Sequence, residues 1–487
     1  MRDDFSAGLY HGRRVILTDA EEVTPANVLD VLHAATIQHD LNRVDIQYLW
    51  NVYRGHQRIE NREKEVRPEI CNKIVENRAA EIVTFKTGYF LGEPVQYVSA
   101  SADSDDDGIK QLNEYMVEVD KAAKDHELVD WMHIAGVGYR IVLPNTDPTY
   151  DSPFDVMTLD PRNTFVVYNS GFSHAPVLGV TYVTRENGDT VYNCYSQTHF
   201  FTIINEKVQA EPNFLGGIPI IEYALNTARL GSFEVVLPLL DAINTVDSNR
   251  VDAVEQFVQA YLLFKNMDIS PDEYDQFRAR GAIKFGDRSE TMKAEISYIT
   301  AELGQSETQT LVDHMYNVVL TICGMPNRNG GSSTSDTGAA VIFRDGWSDA
   351  EARAKNTELM FRPAEKRFLR VALNIAKYLA GLNLSASAVE INLPRTNSSD
   401  KQSKVQVLTT LLASSSVHPL LAFKTCGLFA DAQLAYDMSM KYKEEQEQKA
   451  REQQQQMGAT DESNNDPEAG SGNRETAEQD RSAGTET

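Results

Sequence analysis

Apolar residues recur at helical spacing in three long stretches of the chain and at strand spacing in one. From Leu239 to Phe264, the residues Leu240, Ile243, Val246, Val251, Val254, Val258 and Tyr261 follow one another at intervals of three to five. That spacing predicts an amphipathic helix. Asp241, Asn244, Asp247, Asp252 and Glu255 fall on its other side, the side expected to meet water. A second helix is predicted from Gln305 to Cys323 and a third from Asp349 to Leu382, with a Gly/Ser-rich segment between those two. At 1.5 Å per residue the first would be about 40 Å long, more than twice the usual globular length. A small core does not need such a helix, and a long acidic amphipathic helix suits an elongated or ring-shaped assembly.

The remaining patterns complete an α+β, mainly helical, multidomain chain. Residues Thr24 to about Glu93 read as helical, with Pro25 at a helix start and a periodic run through Ile70, Ile74, Val75, Ile82, Val83 and Phe85 that stops near Gly88. A short strand from Pro94 to Ala100 and an acidic loop precede a helix from Ile109 to about Ala135, which ends at Gly136-Val137-Gly138. From Tyr139 to about Tyr223, β-branched and aromatic residues alternate between turn signals, predicting a mainly antiparallel sheet. The segment Asp268 to Glu302 mixes a short helix (Pro271 to Ala279) with strands near Ala282–Phe285 and Ile296–Tyr298, an insertion at the tip of a helical hairpin. A strand at Val389–Leu393 and helices from about Asp400 to Glu452 follow. From Gln453 on the chain is nearly devoid of apolar residues and is expected to be disordered, because it cannot bury enough surface to offset chain entropy.

Charge and cysteine content narrow the classes. The 487 residues carry a net charge of −25. From Lys441 onward 6 basic and 12 acidic residues account for −6, so −19 rests on the first 440 residues. An acidic body argues against a dedicated nucleic-acid binder, which would carry a basic face, but it does not prevent DNA from sliding past a repulsive wall. Cys71, Cys194, Cys323 and Cys426 lie far apart, with no CxxC pair or zinc spacing, and read as free thiols of a reducing compartment. The start, Met1-Arg2-Asp3-Asp4-Phe5, lacks signal-peptide character, and no run approaches eighteen apolar residues. Cytosolic synthesis without a membrane partner is the expectation.

Catalytic signatures are scarce. GxxxxGK[ST], HExxH and GxSxG are all absent, which removes the phosphate cradle of a P-loop ATPase and the common hydrolase sites. The ten histidines are scattered. Asp103, Asp105, Asp107, Gly108 and Glu114 satisfy the D-x-D-x-D-G-x5-E spacing that surrounds Ca²⁺ with oxygen. A strand-like segment instead of a helix precedes them, and Lys110 stands where such loops carry an aliphatic residue, so a solvated acidic turn with Asp107 capping the next helix is the competing reading. The segment Asn327 to Gly338 is polar, flexible by composition and anchored between two long helices. It reads either as a surface linker or as a moving contact loop, and Arg344 beyond it reads either as facing phosphate or, as is more common for a lone Arg, as an intersubunit or solvated residue.

Several short motifs, taken in order, carry a resemblance. They are Tyr53-Arg54-Gly55 with Ile59 and Arg62; Asn72-Lys73-Ile74-Val75-Glu76-Asn77; Lys86-Thr87-Gly88-Tyr89-Phe90-Leu91-Gly92-Glu93-Pro94-Val95; Gly136-Val137-Gly138-Tyr139; Gly217-Ile218-Pro219-Ile220-Ile221-Glu222-Tyr223; and Phe233-Glu234 leading into Leu240-Asp241-Ala242-Ile243-Asn244. Over roughly residues 40 to 450 the chain resembles the portal proteins of tailed double-stranded DNA phages, in particular the family of phages with long non-contractile tails. The resemblance implies a ring, usually of twelve subunits, at one capsid vertex of the virion, assembled in the host bacterial cytoplasm, with a channel through which DNA enters and leaves. By that likeness residues 1–230 would be the wing, 231–267 a stem helix, 268–302 the clip, 303–326 the second stem helix, 327–347 the tunnel loop, 348–383 a long helix returning to the wing, 384–452 the crown and 453–487 a tail. DNA-facing loop residues would be Asn329, Gly330, Gly331, Ser332, Ser333, Thr334, Ser335, Asp336 and Arg344. Asp241, Asp247 and Asp252 would line the stem, where carboxylates repel DNA phosphates. Lys284, Arg288 and Lys293 in the clip would meet the terminase large subunit and later the head-to-tail adaptor. Major capsid and scaffolding proteins are the other implied partners, with no cofactor and no catalysis.

Two other classes remain open. A nuclease or motor subunit would need a Walker motif or a paired-carboxylate metal site, and only the Asp103 loop offers clustered carboxylates. A helical adaptor that never closes into a ring differs from the first reading only in stoichiometry.

Overall fold

Residues 12–100, 106–258, 261–265, 270–272, 275, 295–299, 305–327, 346–395, 398–414, 416–429 and 432–461 are described in a computed structural model. The chain divides into two units, residues 1–399 and 400–487.

In the first unit the alternating segment becomes two sheets. Strands β3 (Val137–Pro144), β4 (Phe154–Leu159) and β10 (Ile220–Ala224) form an antiparallel sheet in the order β10-β3-β4. Strands β1 (Ile16–Thr18), β5 (Thr164–Asn169), β6 (Pro176–Thr184), β7 (Thr190–Tyr195), β8 (His199–Ile204) and β9 (Lys207–Pro212) form the second, in the order β1-β5-β6-β7-β8-β9. All of its pairings are antiparallel except β1 with β5. Helix α1 (Val28–Tyr53) covers this sheet, burying Val28, Val31, Leu32 and Ala35 against Phe165, Val167, Val180 and Phe201. Strand β2 (Gln96–Ser99) pairs with β13 (Val389–Asn392), so the segment after the third long helix returns to the N-terminal part.

The helices around these sheets are α2 (Arg78–Phe90), α3 (Asp106–Glu118), α4 (Lys121–Ala135), α5 (Leu237–Val258), α6 (Gln305–Cys323) and α7 (Trp347–Ala380). Phe361 and Phe368 of α7, both fully buried, close the core against Phe90 and Tyr223. Helices α5 and α6 pack on each other, and strands β11 (Tyr261–Lys265) and β12 (Glu295–Ile299) pair antiparallel beyond them. The order α5-β11-β12-α6 is therefore a long hairpin.

In the second unit α8 (Ser398–Ala413), α9 (Pro419–Cys426) and α10 (Ala432–Asp461) follow in turn. Phe423 is buried between Phe429, 5.3 Å away, and Tyr436, 6.0 Å away. His418 Nδ1 accepts from the Leu420 amide at the start of α9, with Pro419 at its first position.

Five expectations change. The helix predicted through Glu93 is interrupted: a 3₁₀ turn at Arg58–Asn61 and an extended segment through Asn77 separate α1 from α2, so Ile70, Ile74 and Val75 are not helical. The helix predicted to Ala135 breaks at Asp120, whose φ of 51° is left-handed. Tyr261 and Phe264 belong to a strand and not to the first long helix. Residues 453–461, expected to lack structure, continue α10. Lastly, β1 carried too short an apolar run to be seen. Of the segment expected to be the clip, Ile296–Tyr298 is a strand as expected, while Ala282–Phe285 and most of Pro271–Ala279 lie outside the described residues. No helix among the described residues is long and apolar enough to cross a membrane.

Candidate functional site at the root of the hairpin

The first half of α5 packs Leu237, Leu240 and Ile243 into the body. Its polar residues do not all meet water. Asn244, Ser248 and Asp252, each one helical step of four apart, are 0%, 0% and 3% exposed. Against this stripe runs the extended segment 71–77, antiparallel to the helix. The Asn72 amide donates to Asp252 Oδ1 at 2.7 Å, the Ile74 amide to Ser248 Oγ at 3.0 Å and the Glu76 amide to Asn244 Oδ1 at 2.8 Å. Two residues of extended chain advance about 6.7 Å and four residues of α-helix about 6 Å, so alternate amides meet successive side chains of one helical stripe. Each pair gives a backbone amide of the extended segment a side-chain acceptor on α5.

Both ends of this strap are tied. Asn244 Nδ2 donates to Gln57 Oε1, and Gln57 Nε2 donates to Asn77 Oδ1 at 3.3 Å. Asn77 in turn caps α2, accepting from the Ala80 amide at 3.2 Å while donating to the Tyr53 carbonyl at 2.8 Å. At the other end Arg62 and Lys64 reach Asp252 Oδ2 at 2.9 and 3.1 Å. Burial alone would raise the Asp252 carboxyl, but the Asn72 hydrogen bonds and the Lys64 and Arg62 cations hold it below the usual range. The motifs around Arg62 and Asn72 to Asn77 are thus the parts of one clamp on α5.

The second leg is anchored by a different device. Lys86 of α2 donates to the carbonyl of Cys323, the last residue of α6, at 2.6 Å. A cation at a helix C-terminus meets both the unpaired carbonyls and the negative end of the dipole. Beside it His133 is fully buried, with Nδ1 2.7 Å from Ser232 Oγ and Nε2 unpartnered, and burial and then Lys86 push its pKa down to about 3. Glycines set the close approaches here: Gly136 caps α4 with φ 78°, and a Cβ on it would lie 2.0 Å from the Arg229 carbonyl oxygen.

Between the strap, α2, α5 and α6 lies a cleft of about 1150 Å³ that ends at Met325, Pro326, Asn327 and Trp347. These four residues flank the segment expected to be the tunnel loop. Deeper in the first unit, Lys121 and Asp125 of α4, Arg140 of β3 and Glu365 of α7 form a buried charge network. Lys121 lies 2.7 Å from Asp125 and 2.9 Å from Glu365, and Arg140 pairs with both acids. Tyr97 and Tyr223 donate to Glu365 at 2.5 and 2.6 Å. Burial would raise the Glu365 carboxyl, yet Lys121 and Arg140 beside it bring it down to about 2.

Of the acids expected to line a channel, Asp252 is turned inward and used by the clamp, because α5 needs acceptors where the strap crosses it. Asp241 lies 3.5 Å from Arg58, and Asp247 lies 3.4 Å from Arg250. On the outer half of α5 the expected faces are exchanged: Val251 and Val254 are 41% and 47% exposed while the polar stripe is buried. Asn329 to Asp336, Arg344, Lys284, Arg288 and Lys293 lie outside the described residues, as do Asp103 and Asp105. Asp107, Gly108 and Glu114 sit within α3, which starts at Asp106. A Ca²⁺ loop wraps its ligands around the ion and turns at that glycine, and a helix through these positions does neither. Among the described residues no acid, histidine and cysteine cluster could hold a metal.

The buried contacts of Asn244, Ser248, Gln57 and Lys86 and the Glu365 network were not foreseen, although Asn244 and Lys86 stand in the motifs that carry the resemblance. The four-residue spacing of Asn244, Ser248 and Asp252 was the available signal, and it reads equally well as a solvated face. Among curated proteins no relative matches the chain significantly. A sequence profile of the family described as phage portal protein, SPP1 Gp6-like, matches residues 33–459. Spanning the strap, both legs of the hairpin, α7 and the helices of the second unit, that match shows that the chain belongs to the SPP1 Gp6-like phage portal protein family.

Proposed function

We propose that twelve copies of the chain close into a ring at one vertex of a phage capsid, and that double-stranded DNA is packaged, retained and ejected through its channel without catalysis by this protein. The observation that carries the reading is the family match over residues 33–459, which takes in the whole α5-β11-β12-α6 hairpin. The hairpin supports it physically: its root is clamped by the strap and by Lys86, while Val251 and Val254 on α5 and Leu311 on α6 leave apolar surface on its outer half for a neighbouring copy.

In this reading the hairpin is the stem, and its tip, with Lys284, Arg288 and Lys293, meets the terminase large subunit and later the head-to-tail adaptor. The segment with Asn329 to Asp336 and Arg344 faces the DNA, and capsid and scaffolding proteins surround the ring. Carboxylates lining the channel keep DNA mobile in it, since tight binding requires phosphate neutralisation by Lys and Arg. Deleting the reading frame from the phage that carries it tests the role. Capsids formed without the protein should contain no DNA, and DNA-filled heads in its absence would overturn the proposal.

A further inference from the structure

The C-terminal half of α7 has a charge unlike the rest of this acidic chain. From Arg362 to Ala380 it carries Arg362, Lys366, Arg367, Arg370 and Lys377 against a single acid, Glu365, which is buried in the network described above. Arg362 is paired with Glu358 and Arg367 lies against Tyr168. Lys366, Arg370 and Lys377 are exposed and make no ion pair or side-chain hydrogen bond with any described residue. At 100° per residue they fall within about 40° of one another, spread over about 16 Å of helix axis.

These three cations line one wall of an open cleft of about 400 Å³. Leu373 and Leu384, both buried, line it as well, with Ser385 and Ser387 of the segment that follows the helix. No carboxylate and no aromatic side chain lines it. The cleft therefore offers three cations at fixed positions on a rigid helix, beside two hydroxyls of the following segment that hydrogen-bond each other at 2.8 Å, with no platform on which a base could stack. We propose that this cleft binds the phosphate backbone of duplex DNA, independently of base sequence and on a face separate from the α5-α6 hairpin. The overall acidity does not oppose this, because at physiological salt charges farther than about 8 Å are largely screened and the local cluster decides. A straight row of cations on one helix suits the regular phosphates of a duplex, with one charge per about 1.7 Å of axis.

The inference rests on the proposed function only in taking duplex DNA as the polyanion, and its test does not require a ring. Fluorescence anisotropy of a labelled random-sequence duplex is measured with the full-length chain over a series of KCl concentrations. Three variants are compared: Lys366→Gln/Arg370→Gln/Lys377→Gln; the charge-keeping Lys366→Arg/Arg370→Lys/Lys377→Arg; and a control with the same charge change on the exposed face of α10, Lys441→Gln/Lys443→Gln/Lys449→Gln. The first should bind about tenfold or more weaker at low salt, with the slope of log K against log salt smaller by about 2 to 3, because up to three phosphate contacts are lost. The second and third should bind like the wild type. No binding by the wild type, or an equal loss in the first variant and the α10 control, would overturn the proposal. Either result leaves the ring reading to be judged by the mass of the assembly.

Discussion

The Glu365 carboxylate has no water contact, and its surroundings make a neutral replacement costly. Two cations, Lys121 and Arg140, converge on it and on Asp125. Glu365→Gln would leave two buried cations facing one acid, which costs about 3–5 kcal/mol. Urea titration should record that loss, and adding Lys121→Met should recover a large part of it, because the two residues are coupled. Acid acts on other parts of the first unit through histidines. His39, whose Nε2 donates to the Arg162 carbonyl at 3.1 Å, is lowered to about 4 by burial, and His133 is lowered to about 3. Their stability contribution is complete above the unfolded value near 6.5. As the pH falls below it, each histidine removes about 1.4 kcal/mol per unit, because the unfolded chain takes up the proton first. The urea midpoint should therefore fall between pH 7.5 and pH 5, and His39→Gln should fall less steeply. A midpoint independent of pH in the wild type would contradict this.

The strap and α5 form a unit whose parts can be removed singly. Ser248→Ala deletes one neutral acceptor and should cost about 1 kcal/mol. Asp252→Ala removes the acceptor for Asn72 and leaves Arg62 and Lys64 without their anion, at about 2–3 kcal/mol, since both cations keep some access to water. Amide hydrogen exchange separates the two: Ser248→Ala should speed exchange chiefly at Ile74, and Asp252→Ala at Asn72 with its neighbours. Unchanged exchange at residues 72, 74 and 76 would mean that the ladder does not hold the segment. Periodicity made α5, α6, α7 and the antiparallel sheet legible, because there one face meets the core and the other meets water. It misread segment 54–77, where Ile70, Ile74 and Val75 stand at near-helical intervals although the Ile70 amide turns back to the Arg67 carbonyl and the amides of Asn72, Ile74 and Glu76 are met by α5. For the same reason the buried stripe of α5 was taken as solvated: hydrophobicity does not distinguish a polar residue facing water from one facing a backbone amide. The Lys121–Glu365 network joins residues 244 positions apart, and no local pattern reveals such a pair.

For the whole molecule the outer half of the hairpin carries the clearest sign of a partner. Val251 and Val254 stand exposed on the helix whose polar stripe is buried, an inversion that an isolated subunit gains nothing from. Val251→Asp/Val254→Asp should therefore lower the oligomeric mass while leaving the far-UV circular dichroism and the urea midpoint of the subunit nearly unchanged. Family membership was legible because the short motifs mark contacts that fix the hairpin to the body, at the strap, at Lys86 and at the Gly136 cap. The measurement that bears most directly on the central claim is the mass of the purified full-length protein by light scattering, with negative-stain images of the same fraction. A species near twelve times 54.4 kDa, seen as annular particles with a central hole, is the expected result. A monomer or dimer at every salt and Mg²⁺ concentration tried would contradict it.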